Sequence, residues 1–375
     1  MTEKFDANTR WAKLGPYYAM FPLDFVRRIV DEFCPPASAV LDPFCGRGTV
    51  PFVAATSGRQ AMGIDVNEVA YVYSSAKTAP ELYLSHIARR IGEIKRAVRT
   101  ADRRPVNEFQ RLAWSPRVLG FLHAARRELD WQDSRCDRTL MALILVHLHG
   151  KKGGAVSNQL RQSKSMAPDY AVRWWTARNL TPPELDPAAY FEAKARWRYA
   201  KGLPKRSESR IEWGDARQVL PMVRRRFSLL LTSPPYCGVT DYRLDNWIRL
   251  WMLGGSPLPE HDTSQRHVSR PRYREMLQGV FEAAHRCMLD DAVIYVRTDT
   301  RSYTLQTTKE VLASIWPRYA AYQRSEQPLK TQTRLFGDAS IKPGETDLLL
   351  LPPNVRRPLG FSRWANETPA LVEAA

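Results

Sequence analysis

Apolar residues fall into two kinds of pattern along this chain. Short, largely apolar runs predict strands at Ala39–Leu41, Ala61–Asp65, Phe227–Leu231, Ala292–Arg297 and Thr346–Leu351. Longer stretches with apolar residues three and four apart predict helices at Val50–Ser57, Leu82–Arg99, Ser115–Leu129, Arg138–Leu148, Tyr190–Lys201, Tyr273–Met288 and Thr307–Trp316. Trp247, Leu250 and Trp251 fall on one helical face and read as core. The last strand is expected to pair with Lys330–Phe336 in a hairpin across Gly337 and Gly344. Strands alternating with helices predict an α/β domain: a mixed seven-strand sheet, Rossmann-like, with helices on both faces.

Chemistry gathers where the predicted strands stop. Phe227–Leu231 runs into Thr232-Ser233-Pro234-Pro235-Tyr236. Two prolines cannot continue a central strand, because each lacks a ladder donor and fixes φ. The chain must break at the carboxyl end, where open α/β sheets bind ligands. The break offers a hydroxyl, a rigid carbonyl and an aromatic ring, a set suited to a planar heterocycle bearing an amine. Ala39–Leu41 leads into Asp42-Pro43-Phe44-Cys45-Gly46-Arg47-Gly48-Thr49, a strand, glycine loop and helix in order. Its spacing differs from the dinucleotide fingerprint, and it lacks a phosphate-loop lysine. Asp65 ends the next strand, where a carboxylate can accept both ribose hydroxyls. Each piece has a plainer reading: a proline turn, a tight glycine turn, helix caps at Asp65 and Asp215, core aromatics at Tyr17, Tyr18 and Phe21. Their joint occurrence in this order favours a site.

Taken together, these motifs resemble the DNA amino-methyltransferases, enzymes that transfer methyl from S-adenosylmethionine to an exocyclic base amine. Ser233-Pro234-Pro235-Tyr236 is similar to their catalytic motif and Asp42–Thr49 to their cofactor loop. Pro16–Pro22 resembles the segment closing over the cofactor's methionine end, and Arg210–Ala216 the strand whose aspartate reaches the adenine. The resemblance implies catalytic roles for Ser233, Pro234, Pro235 and Tyr236. It implies cofactor contacts at Phe21, Pro22, Asp42, Pro43, Phe44, Gly46, Gly48, Thr49, Asp65, Asp215 and Ala216. Ser before the prolines resembles the cytosine-N4 group, with adenine-N6 as the runner-up. A cytosine-C5 enzyme would carry its cysteine directly after the prolines; here Tyr236 holds that position and Cys237 follows it. The implied partner is double-stranded DNA, with or without a cognate restriction endonuclease.

Charge adds a second module. The formal net charge is +17, and residues 77–210 hold 27 Lys and Arg against 13 Asp and Glu, which accounts for most of it. Basic charge set apart from the catalytic motifs is the footprint of a polyphosphate partner. The expected division is 1–76 as the cofactor half, 77–209 as a helical basic insert for target recognition, and 210–375 as the catalytic half. The insert falls between the second and third strands, whereas the family's usual permutations place their recognition domain elsewhere. Polar, cationic and aromatic groups make Lys151, Lys152, Asn158, Gln159, Arg161, Lys164, Arg173 and Trp174 the expected nucleic-acid contacts. Two Trp docking into the core is the competing reading for Trp174-Trp175.

Five scattered cysteines without CxxC spacing argue for reduced thiols rather than disulfides or a zinc knuckle. His147 and His149, two apart, face different sides of a helix and do not suggest a metal site. No run reaches the length of a membrane span, so a cytoplasmic, nucleoid-associated protein is expected. Two other classes fit less well. An RNA guanine-N2 methyltransferase would use a similar loop with Asp, and an inactive DNA-binding homologue would not need an intact catalytic loop.

Overall fold

The computed structural model describes residues 6–16, 21–162, 164–239, 241–260, 267–326, 344–353 and 355–364. In chain order, helices α1 (Ala7–Ala12) and α2 (Leu23–Phe33) lead into β1 (Ala39–Asp42), α3 (Thr49–Thr56), β2 (Gln60–Asp65) and α4 (Glu68–Thr78). The insert follows as α5 (Leu84–Arg96), α6 (Glu108–Ala113), α7 (Pro116–Glu128), α8 (Arg135–His147), α9 (Pro168–Thr176) and α10 (Pro187–Tyr199). The chain returns to the sheet with β3 (Ser209–Trp213), α11 (Ala216–Val219) and β4 (Phe227–Thr232). It continues through α12 (Tyr242–Met252), α13 (Arg270–His285), β5 (Met288–Asp299), α14 (Ser302–Ile315), β6 (Ala320–Glu326), β7 (Glu345–Leu351) and β8 (Ser362–Arg363).

The strands form one mixed sheet in the order β3-β2-β1-β4-β5-β7-β6-β8. The first five positions are parallel, and β7 enters antiparallel between β5 and β6. This is the Rossmann-like fold expected, with two corrections. The sheet has eight strands, because the two-residue β8 adds to the edge beside β6. The hairpin partner of β7 is β6, Ala320–Glu326, whereas Lys330–Phe336 lies outside the described residues.

Alternation within the strands separates two cores. Leu229 and Leu231 of β4 face one side with Val40, Val293 and Tyr295, while Leu230 faces the other with Leu41, Met62 and Ile294. The first core does not stop at the sheet. It continues through α3 and α4 into Ile87, Phe109, Trp114 and Leu143 of the insert. α12, the helix after the catalytic motif, joins them: Trp251 stacks on Trp114 at 5.1 Å, and Trp247 meets Phe109 edge-on at 4.8 Å. Such ring pairs add about 0.5–1.5 kcal/mol each beyond their buried area. The insert is thus built onto the catalytic helix through a shared apolar interior. Among the described residues, no helix is long and apolar enough to cross a membrane.

Candidate active site

The order of strands reverses between β1 and β4, and the crevice outside their carboxyl ends is where such sheets take ligands. Both predicted loops open there. Asp42 ends β1 and Thr232 ends β4, and their side chains bond at 2.6 Å. Asp42 also accepts from the Phe44 amide at 3.2 Å. Burial pushes its carboxyl up to about 7, while the Thr232 and Phe44 bonds pull the other way.

The glycine loop is pinned from three sides. Asp65, at the end of β2, accepts from the Gly46 amide at 2.8 Å and from the Asn67 amide at 2.9 Å. Burial raises its carboxyl to about 6 despite these donors. Buried Lys77 of α4 donates to the Arg47 carbonyl at 2.7 Å, and Arg47 Nη1 reaches back to the Gly15 carbonyl at 3.0 Å. Gly48 caps α3 with φ of 76°, and a Cβ there would sit 2.6 Å from the Ser74 Cβ. Only glycine allows that approach.

Two cavities meet at this loop, sharing Phe44, Gly46 and Ser233 in their walls. The first adds Phe21, Asp42, Thr49 and Tyr236 from the predicted set. The second, of about 180 Å³, adds Pro43, Asp65, Asp215, Ala216 and Pro235. Asp215 also caps α11, accepting from the Arg217 amide at 2.9 Å, and its ion pair with Arg217 lowers its carboxyl below the usual range. Three predicted residues line neither cavity. Pro22 precedes α2 as its cap, Gly48 is packed against Ser74, and the Pro234 ring is buried. Tyr17 to Met20, in the segment expected to close over the cofactor, lie outside the described residues.

The Ser233–Tyr236 motif stands where the two cavities join. Ser233 Oγ is 3.4 Å from the Tyr236 hydroxyl. Tyr236 is buried, and burial together with the nearby Glu345 carboxylate pushes its phenol well above the ordinary value, so it stays neutral. Cys237 bonds the His267 carbonyl and lines neither cavity.

Several wall residues were missing from the sequence reading. Arg297 of β5 and Glu345 of β7 line the first cavity beside Ser233 and Tyr236. Arg297 forks onto Asp347 at 2.6 and 3.0 Å, bonds Glu345 at 3.1 Å, and lies over the Phe25 ring at 3.8 Å. Their sequence separation hid them; only the β5–β7 pairing joins them. Arg47, Asn67 and Tyr242 were missed for a different reason. They sit inside or beside recognised motifs, and a closer reading of the motifs' variable positions would have found them.

The expected nucleic-acid contacts do not form one surface set. Lys151, Lys152, Gln159, Arg161 and Arg173 are exposed. Lys164, also exposed, pairs with Asp245 of α12 at 2.6 Å. Trp174 is half-buried with the Arg178 guanidinium 4.9 Å above its ring, while Trp175 is buried and bonds the Gln159 carbonyl at 2.8 Å. Asn158 corrects the reading: it is buried, and its amide satisfies the carbonyls of Leu112 and Leu180. It is a packing group that closes loop ends inside the insert.

Strand order, glycine loop, the carboxylate at the end of β2 and the joined cavities make a Rossmann-like sheet with a ligand crevice at its switch point. Residues 2–77, which carry the glycine loop and Asp65, match the family model described as DNA methylase. No curated protein matches the sequence. Solved structures that align include a TehB-like SAM-dependent methyltransferase from Corynebacterium glutamicum, at 8% identity and TM-score 0.31, covering 87% of this chain and 86% of that one. The rRNA methyltransferase aviRa from Streptomyces viridochromogenes aligns at 13% identity and TM-score 0.34, covering 93% and 94%. TehB from Haemophilus influenzae aligns at 8% identity and TM-score 0.37, covering 92% and 67%.

Proposed function

We propose that the protein methylates the exocyclic amine of a base flipped out of double-stranded DNA, with cytosine N4 as the target. The observation that carries this reading is the position of Ser233, whose residue forms part of the wall of both cavities at the end of β4. The residues present fit the cofactor. Asp65 and Asp215 would hold its ribose and adenine in the second cavity, and the glycine loop with Phe21 and Thr49 would hold its methionine end in the first. Bound there, S-adenosylmethionine supplies an electrophilic methyl group.

An aromatic amine is a poor nucleophile because its lone pair is delocalised into the ring. The chain's task is alignment and localisation of that pair. Ser233 Oγ and the Pro234 carbonyl would accept the two amine hydrogens and draw the nitrogen toward tetrahedral geometry. Pro235 stiffens the loop, and Tyr236 offers its ring to the base. A neutral serine hydroxyl suffices as acceptor because the methylated ammonium is itself acidic and releases its proton readily. The target nitrogen is out of reach within a duplex, so the nucleotide must leave the stack. The basic insert would hold the surrounding phosphates.

Incubation with labelled S-adenosylmethionine and either duplex DNA or total tRNA tests the reading. Label in DNA, recovered on digestion as N4-methylcytosine, is the expected result. Label in tRNA alone contradicts the DNA assignment, and N6-methyladenine contradicts the target base.

A further inference from the structure

We propose that an open cavity between α6, α7 and the end of α12 binds a backbone phosphate of the nucleic acid, some distance from the flipped base. This inference rests on the DNA reading above and assigns its backbone contact to residues outside the polar run at 151–174.

The cavity has a volume of about 420 Å³, and its walls include Gln110, His123, Arg126, Arg127 and Trp251. Its side chains include several hydrogen-bond donors. Gln110 is 1% exposed; its carbonyl oxygen accepts from the Val106 amide at 3.1 Å, and its side-chain amide nitrogen has no acceptor among the described residues. A buried donor of this kind is costly to leave unsatisfied. Arg126 is half-buried, donates to the Gly255 carbonyl at 3.0 Å and lies 6.0 Å from the Trp251 ring centre. No carboxylate pairs with it among the described residues. His123, held edge-on to Trp251 at 5.7 Å, has its imidazole kept neutral by burial and retains one N–H.

The acids nearby are already engaged. Arg127 takes both Asp102, at 2.9 Å, and Glu128, at 2.9 Å. Arg103 and Arg104, just before Val106, are exposed and form no ion pair among the described residues. The balance around the cavity is therefore positive, with the Arg126 guanidinium, the Gln110 amide and the His123 imidazole all in its wall. A phosphodiester oxygen matches those donors; a cation does not.

Position also fits. Tyr242, at the start of α12, lines the second active-site cavity, and Trp251, near the helix end, lines this one. Nine residues of helix span about 14 Å. That is about four base steps at 3.4 Å each, within one protein footprint on DNA. The segment after α12 turns back along the helix, where Arg243 bonds Glu260 at 3.2 Å.

The test is binding of full-length protein to a fluorescent duplex across a salt series, read by anisotropy, beside calorimetry with S-adenosylmethionine. Arg126→Gln is expected to weaken duplex binding about fivefold to tenfold and to reduce the slope of log affinity against log salt by about one. Arg126→Lys should retain the slope, and both variants should bind S-adenosylmethionine as the parent does. A parent-like affinity and salt slope in Arg126→Gln, with cofactor binding intact, would overturn the site while leaving the functional reading in place. A parent protein without measurable affinity for duplex would overturn both.

Discussion

Thr232 Oγ1 donates to Asp42 Oδ1 at 2.6 Å, and this single bond ties the end of the strand that opens into Ser233–Tyr236 to the end of the strand that opens into the glycine loop. The two strands are parallel neighbours, with Leu41 opposite Leu230, so a shift of either end would misalign both loops. Thr232→Val keeps the shape and removes the donor. It leaves a buried carboxyl under-satisfied, at a cost of about 1–3 kcal/mol. Denaturant unfolding should show that loss, and calorimetry should show weaker cofactor binding. Thr232→Ser should restore both, and a Val variant equal to the parent would deny the coupling.

On the proposed function, Asp65 should make cofactor binding sensitive to pH. Its carboxyl is raised to about 6, chiefly by burial. Below that value a proton occupies one of the oxygens that would accept the ribose hydroxyls. Affinity for S-adenosylmethionine should therefore be level above about pH 7 and fall about tenfold per unit below pH 6. The same proton acts on folding with the opposite sign. Between the unfolded value of 3.8 and about 6 the folded chain keeps a proton that the unfolded chain has lost. This carboxyl therefore favours the fold more as pH falls through that window, and the contribution is lost as pH rises past it. Asp65→Asn should bind weakly at every pH and lack the bend near 6 in a calorimetric pH series.

Gly48 tests the loop's geometry without touching any polar group. Alanine there would place its Cβ 2.6 Å from the Ser74 Cβ and 2.9 Å from the Ser74 Cα, at φ of 76°. Neither the packed helix nor the backbone can give way cheaply. Gly48→Ala is expected to destabilise the fold by about 1–3 kcal/mol and to abolish cofactor binding at concentrations that saturate the parent. Gly58, also at positive φ but with open space around it, is the control. Its alanine variant should bind the cofactor normally, as isothermal titration would show.

Local physics made half of this site readable. The run Phe227–Leu231 ended by two prolines read as a buried strand broken at its carboxyl end, Asp42 stood at a strand end opening into a glycine loop, and Asp65 ended the short strand after the turn at Gly58. Arg297 and Glu345 were out of reach because only antiparallel pairing between β5 and β7 brings them to Ser233. The strand at Ala320–Glu326 was hidden by its polar alternation, which reads as loop until β7 and β8 are known to flank it. Asn158 misled for a related reason. A polar residue in a polar run looks exposed, and nothing local reveals that two distant carbonyls bury it. Trp174 and Trp175 split between the two readings, one half-exposed beneath an arginine and one in the core.

The most direct measurement is methyl transfer to duplex DNA by Ser233→Ala, made alongside cofactor binding by the same preparation. Loss of an acceptor used only as the amine changes geometry should lower turnover by about a hundredfold or more and leave S-adenosylmethionine affinity within about twofold of the parent. Turnover equal to the parent's, with the cofactor bound as before, would contradict the assignment of that hydroxyl to the reacting amine.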